Sequence, residues 1–315
     1  MNAPAPATLT GLAIGDSLGM PFEMSKPSHP RLKAWGGGYE DGSASPYTKE
    51  LGPGQWTDDT KMAKALAESL IEEKAYSPAG AARKYLEWYR SGDLRGIGTA
   101  TYQAMKKLDM NVPWTQSGTP NAEGNGAAMR VGPLGLFYRF NIQAAAEMAA
   151  IDARITHDSH EARVGSIAVA LGVTALLQGA IPETVVSKVL EWLPDSEIRN
   201  RLREVERTFE YLIGSSDETV AEAIAKMGAK AHVIETVPAA FMALATTRSF
   251  KGALRAAILC GGDTDTTGAV TGALAGTYYG ISQVQPFLDG LEAANELRAI
   301  EQALYDNAPQ VQPNG

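Results

Sequence analysis

Apolar side chains recur along this chain at the three-to-four-residue spacing of a helix face. Met62, Leu66 and Leu70 follow Asp59; Tyr85, Trp88 and Tyr89 follow Pro78; Ile198, Leu202, Val205, Phe209 and Leu212 follow Pro194. The two-residue alternation of a half-buried strand is scarce. Proline and glycine at Pro78, Pro182, Pro194, Gly214 and Gly228 cut the pattern into about a dozen helices with short connections, so the expected fold class is all-α.

Two stretches, Val164–Pro182 and Thr266–Leu288, carry no charge at all. Each exceeds the roughly 18 residues that could span a bilayer, but a helix apolar on every side is equally a buried core helix. Gly, Thr, Ser and Gln are scattered through both, and no membrane span is expected. Glycine repeats inside them, at Gly165, Gly172 and Gly179 and at Gly268, Gly272, Gly276 and Gly280. Each interior glycine costs up to about 1 kcal/mol relative to alanine. The compensation expected is close packing, because a stripe without side chains lets a second backbone approach.

Two irregular segments, Pro27–Trp56 and Asp109–Gly126, interrupt the helices and lead into polar clusters. The first carries Trp35, Tyr39 and Tyr47 and is expected to lie over a cleft and order around ligand, as Gly- and Ser-rich loops do. No compositional break divides the chain, so one domain over residues 8–307 is expected, with flexible tails at 1–7 and 308–315.

Of 315 residues, 44% are hydrophobic and 20% charged, enough for a sizeable core. The 28 Lys and Arg against 36 Asp and Glu leave a net charge of −8, which argues against a nucleic-acid partner. Cys260 is the one cysteine, so no intrachain disulfide can form. The opening residues lack the basic and apolar regions of a signal peptide, and a cytoplasmic location is the expectation.

Chemistry concentrates in two clusters. Gln55-Trp56-Thr57-Asp58-Asp59-Thr60 precedes an amphipathic helix, where one carboxylate could serve as a cap but two leave a surplus. Gly261-Gly262-Asp263-Thr264-Asp265-Thr266-Thr267-Gly268 repeats those residue types at the mouth of the uncharged, glycine-striped helix. Carboxylates there have few nearby Lys or Arg to neutralise them, and a bound cation would resolve the imbalance. Carboxylate and hydroxyl oxygens suit hard ions, and four aspartates with two threonines could supply a two-metal site for Mg²⁺ or Mn²⁺. Glu23, in Gly11–Glu23, offers a further carboxylate. Gly124-Asn125-Gly126-Ala127-Ala128-Met129-Arg130 is a glycine-flanked turn opening a helix, with backbone N–H groups suited to a phosphate or pyrophosphate. In His157-Asp158-Ser159-His160, helix-start hydrogen bonding is expected for one histidine, and a ligand or supporting contact for the other.

In this order, Gly15-Asp16 with Glu23, Thr57-Asp58-Asp59-Thr60, Gly124–Arg130 with Thr156-His157, and Gly262–Gly268 resemble the ADP-ribosylglycohydrolase family. That family includes the dinitrogenase reductase-activating glycohydrolases and the ADP-ribosylarginine and ADP-ribosylserine hydrolases. The resemblance implies an all-α orthogonal bundle with a dinuclear metal cleft holding two Mg²⁺ or Mn²⁺ ions. By position, Thr57, Asp58, Asp59, Asp263, Asp265 and Thr266 would ligate the ions. Gly124, Asn125 and Gly126 would line the diphosphate, and His157 would face the ribose.

The reaction implied is hydrolysis of a glycosidic bond at the distal ribose, releasing ADP-ribose from a modified protein side chain, arginine before serine. Such a bond breaks through an oxocarbenium-like state aided by a carboxylate and an activated water. Asp58 or Asp59 would hold that water, with Glu23 as the alternative acid or base. Other readings are hydrolysis of a free ADP-ribosylated small molecule and a non-catalytic ADP-ribose binder, although a mere binder has no reason to keep both acidic clusters. Arginine-directed members place an acid before the glycine of a helix-opening turn. Here Leu94-Arg95-Gly96-Ile97-Gly98-Thr99 has Gly96 at that place, with Asp93 three residues earlier as the substitute carboxylate.

Overall fold

A computed structural model of the chain describes residues 6–309; of the expected tails, 1–5 and 310–315 lie outside the described residues. The described residues form seventeen α-helices, twelve of ten residues or more and five of four to six. They also form one parallel pair, Thr119–Pro120 against His157–Asp158. The segments with helical periodicity after Asp59, Pro78 and Pro194 form the long helices Asp58–Glu73, Pro78–Ser91 and Glu197–Thr208, whereas a single turn is too short for a 3.6-residue repeat to register. Their starts are fixed by serine caps: Ser77 accepts from Gly80 N ahead of Pro78, Ser159 from Ala162 N, Ser196 from Arg199 N and Ser249 from Gly252 N. Each such cap is worth about 1 kcal/mol.

At the centre, helix Thr8–Gly19 lies against helix Thr264–Tyr279, and all twelve residues of the first are buried. Gly268, Gly272 and Gly276 meet a matching series, Gly11, Gly15 and Gly19, on the other helix. A Cβ added at Gly15 would stand 2.0 Å from Gly268 O, and one at Gly11 would stand 2.3 Å from Gly272 O. The two backbones are therefore in direct contact. Thr264 Oγ1 donates to Gly19 O at 2.7 Å, and Thr8 and Thr277 hydroxyls pair at 2.8 Å. From helix Ala294–Asp306, the buried Glu301 carboxylate accepts from Leu9 N at 2.7 Å and Thr10 Oγ1 at 2.6 Å. Packing reaches one residue past each expected domain boundary, since Ala7 and Ala308 are buried.

Both uncharged stretches enter the core. His160–Leu177 is long and apolar enough to cross a membrane by composition, yet 72% of it is buried inside the fold. The second stretch is broken where its helix ends at Tyr279, before Gly280 at φ 69°.

Segment Pro27–Trp56 differs from the expected lid. It forms a short helix, Pro30–Ala34, and is tied down by buried Leu32, Trp35 and Trp56, by Thr48 Oγ1 donating to Met20 O at 2.9 Å, and by Tyr39 OH donating to Phe287 O at 2.7 Å. Trp35 and Tyr39 are anchors of the segment, while Tyr47 is exposed.

Candidate active site

The two acidic clusters, 205 residues apart from Asp58 to Asp263 by numbering, face each other because the glycine seam aligns the helices behind them. A cleft of about 230 Å³ lies between them. Its walls include Glu23, Asp58, Asp59, Asp263, Asp265 and Thr266 on one side and Gly124, Asn125, Gly126 and His157 on the other. Of the residues the resemblance assigns to metal, catalysis or substrate, only Thr57 does not line the cleft itself; it is buried at the N-cap of the helix that begins with Asp58 and Asp59.

Asp16 explains why the first cluster is free for chemistry. Fully buried, it accepts from Thr57 N at 3.1 and 3.0 Å, Thr57 Oγ1 at 2.9 Å, Thr60 N at 3.1 Å and Thr60 Oγ1 at 2.6 Å. It thus performs the capping expected of the local residues, and the Thr57 side chain makes no cap bond. Thr57 gives its proton away and keeps an oxygen lone pair. Asp16 was legible as the one acid inside an otherwise apolar, glycine-rich helix, but its partners lie 41 and 44 residues onward.

The second cluster is held by a tight turn. Gly261 and Gly262 have φ of 70° and 78°, the left-handed region glycine adopts without strain, and a Cβ at Gly262 would stand 2.0 Å from Ala229 O. Gly262 exchanges backbone bonds with the chain after Glu23: Met24 N donates to Gly262 O at 2.6 Å and Gly262 N to Ser25 O at 2.8 Å. This bridge sets Glu23 beside Asp263 and Asp265, and the three carboxylates offer oxygens all within 4.8 Å of one another.

Asn125 lines the cleft between the two glycines, and its side chain has a further duty. Its amide nitrogen donates at 2.6 Å to Asp263 Oδ2 and at 2.8 Å to Thr236 Oγ1, so both its hydrogens orient the cluster and none is left for a phosphate. Arg130, at the end of the same turn, is fully buried against Asp152 at 2.8 Å. Of the two histidines, His160 opens its helix with Nε2 2.9 Å from Asp195 O, outside the cleft. His157 is pinned by the parallel pair, with Nδ1 2.9 Å from Thr156 Oγ1.

Asp93 is not a cleft residue. Its carboxylate is paired with Lys61 and with Arg95, at 2.9 Å to Nε, and Arg95 is bound in turn to Glu292 at 3.0 Å. Gly96 occupies the position an acid takes in the arginine-directed pattern. With φ at 77° and a would-be Cβ 2.7 Å from Asp58 Oδ1, it leaves no room for a side chain.

Burial pushes Glu23 up to about 8, helped by the charges of Asp263 and Asp58, and pushes Asp58 up to about 7, helped by Asp16. Asp59 and Asp265 are driven well above the carboxylate range, by burial first and then by neighbouring acids. Asp59 Oδ1 is buried without a hydrogen-bond partner. An orphaned oxygen, a cluster of carboxylates with no cationic side chain bonded to it among the described residues and a donor set made entirely of oxygen fit a divalent hard cation.

Without such a cation, stability should fall as pH rises. These acids have folded pKa values above their unfolded values near 4, so between about pH 4 and 8 the folded state binds more protons than the unfolded state. Chelated protein is expected to melt at a lower temperature at pH 8 than at pH 5 in a thermal-shift measurement. Mg²⁺ or Mn²⁺ near 100 times its Kd should restore about 5–10 °C at pH 8. A melting temperature that climbs with pH in chelator contradicts the picture.

The chain is similar to known proteins over nearly its whole length. The sequence model of the ADP-ribosylglycohydrolase family matches residues 5–314. An uncharacterized protein of Archaeoglobus fulgidus is 33% identical, over 95% of this chain and 94% of its own. ADP-ribosylarginine hydrolase Tri1 of Pseudomonas putida is 28% identical over 98% and 79%, and ADP-ribosylhydrolase ARH3 of Mus musculus 27% over 94% and 90%. A solved structure described as an ADP-ribosylglycohydrolase-related protein complex is 30% identical, with a TM-score of 0.76 over 96% of this chain and 97% of that one. With sequence and helical fold matched over nearly its whole length, the chain belongs to the ADP-ribosylglycohydrolase family.

Proposed function

We propose that residues 8–307 form one domain that hydrolyses the ribosyl bond of ADP-ribosylated arginine in proteins, with two Mg²⁺ or Mn²⁺ ions. The observation that carries this reading is the set of five carboxylates, Glu23, Asp58, Asp59, Asp263 and Asp265, around one 230 Å³ cleft. The relative from Pseudomonas putida named as an ADP-ribosylarginine hydrolase supports the acceptor.

Thr57, Asp58, Asp59, Asp263, Asp265 and Thr266 would hold the ions. Bound there, the ions supply polarisation of the ribose hydroxyls and a more acidic water. Asp58 and Asp59 orient the attacking water from the start of their helix. Glu23, beside Asp263 and Asp265, would serve as the acid that protonates the leaving nitrogen. The Gly124–Gly126 backbone lines the diphosphate, and Asn125 acts by steadying Asp263.

The test is release of ADP-ribose from arginine-, serine- and acetyl-linked substrates, with Mg²⁺ and then with chelator. Turnover of the arginine-linked protein, lost on chelation, is expected. Preference for a free small molecule, or binding without turnover, would replace this reading. Asp93→Asn is expected to leave KM for arginine-linked substrate unchanged, because Asp93 faces Lys61 and Arg95.

A further inference from the structure

We infer that Thr156, held by Arg130, fixes His157 as a neutral imidazole with its proton on Nε2, an obligate hydrogen-bond donor to an oxygen of the ligand in the cleft. The ligand's identity rests on the proposed function; the assignment of the proton does not. Arg130 Nη1 donates to Thr156 Oγ1 at 2.8 Å, and a guanidinium has no lone pair to accept with, so the threonine oxygen is the acceptor of that bond. The threonine hydrogen then needs an acceptor of its own. Thr156 is fully buried, and His157 Nδ1, at 2.9 Å, is the one remaining polar partner of its hydroxyl among the described residues. The hydroxyl therefore donates to Nδ1, which carries no proton, and the neutral ring has its hydrogen on Nε2.

The same guanidinium also holds the glycine turn. Arg130 Nη1 also donates to Gly126 O at 3.1 Å, while Nε and Nη2 donate to Asp152 Oδ2 at 2.8 Å and Asp152 O at 2.9 Å. Tyr85 OH donates to the other carboxylate oxygen of Asp152 at 3.0 Å. Nε2 faces the two glycines: a Cβ at Gly124 would stand 3.2 Å from it and one at Gly126 3.3 Å, so the missing side chains leave it open to the cleft. No described residue bonds Nε2. With Nδ1 occupied and Nε2 protonated, the ring has no free lone pair for a metal ion, and the ligand role left open by the sequence falls away. Burial and the Arg130 charge also hold the ring's pKa down, to about 3. Thr156 and Arg130 are thus positioning residues that act through His157.

The chain has four histidines, so a two-bond ¹H–¹⁵N spectrum of histidine-labelled protein resolves each ring, with His157 assigned by its loss in His157→Gln. The expected wild-type spectrum has His157 protonated at Nε2 and an unprotonated, hydrogen-bonded Nδ1. Thr156→Val should move the Nδ1 resonance to that of an unbonded nitrogen and raise the Kd for ADP-ribose about tenfold, and Thr156→Ser should restore both. A proton on Nδ1 in the wild type overturns the inference. So does Thr156→Val with wild-type spectrum and affinity. A wild type with the expected spectrum that fails to bind ADP-ribose overturns the proposed function and upholds the proton assignment.

Discussion

Asp59→Ala and Asp265→Ala should each lower ADP-ribose release by about 10³-fold or more, and the double variant should be little worse than either, as expected of residues acting as one unit. The two aspartates belong to helices more than two hundred residues apart in sequence and share one cleft. A capping role would predict instead a loss of about 0.5–2 kcal/mol in stability with activity kept. The geometry opposes that alternative, because Asp16 does the capping at the first helix and Asp263, at the N-cap of the second, makes no side-chain cap bond. Thermal melts separate the readings further. In chelator each alanine should raise the melting temperature, since it removes a buried carboxylate from a cluster of like charges. With Mn²⁺ present each should lose the stabilisation the wild type gains. Independent, modest losses of activity would mean that the clusters do not work as one site.

Gly15→Ala and Gly268→Ala should each destabilise the fold by about 3 kcal/mol or more in urea unfolding. Overpacking commonly costs about 1–3 kcal/mol when side chains can yield. Here the obstruction is backbone: a Cβ at Gly15 would stand 2.0 Å from Gly268 O, and one at Gly268 2.4 Å from Gly15 O. Relief requires two entire helices to separate. Gly15 adjoins Asp16 and Gly268 closely follows Asp265, so separation would also open the carboxylate cluster, and metal affinity should fall with stability. Gly38→Ala is the control, having nothing within 4 Å of its added Cβ, and should stay within about 0.5 kcal/mol.

Helices with sustained periodicity and a clear start, such as those opening at Asp58 and Pro78, were legible because their register depends only on neighbours. The glycine seam was half read. Gly268, Gly272 and Gly276 stood out in an uncharged stretch, whereas Gly11, Gly15 and Gly19 have the same four-residue spacing in a shorter one. The cleft residues were found because their chemistry is conspicuous, but their duties depend on distant contacts. Asn125 reads as a turn residue until Asp263, 138 positions away, and Thr236 take its amide hydrogens. Asp93 illustrates the converse: closeness in sequence to Gly96 said nothing of the direction in which Lys61 and Arg95 draw its carboxylate.

The helix seam also sets the order of events during synthesis. Helix Thr8–Gly19, every residue of which is buried in the finished fold, leaves the ribosome before its partner, which follows 245 residues later. At about 5–20 residues per second, the helix waits roughly 10–50 s for that partner. Glu301, which closes over Leu9, arrives later still. Through that interval the nascent chain exposes an apolar, glycine-striped helix that chaperones would shield, and it carries only one of the two acidic clusters. The two acidic clusters therefore meet only after helix Thr264–Tyr279 has emerged.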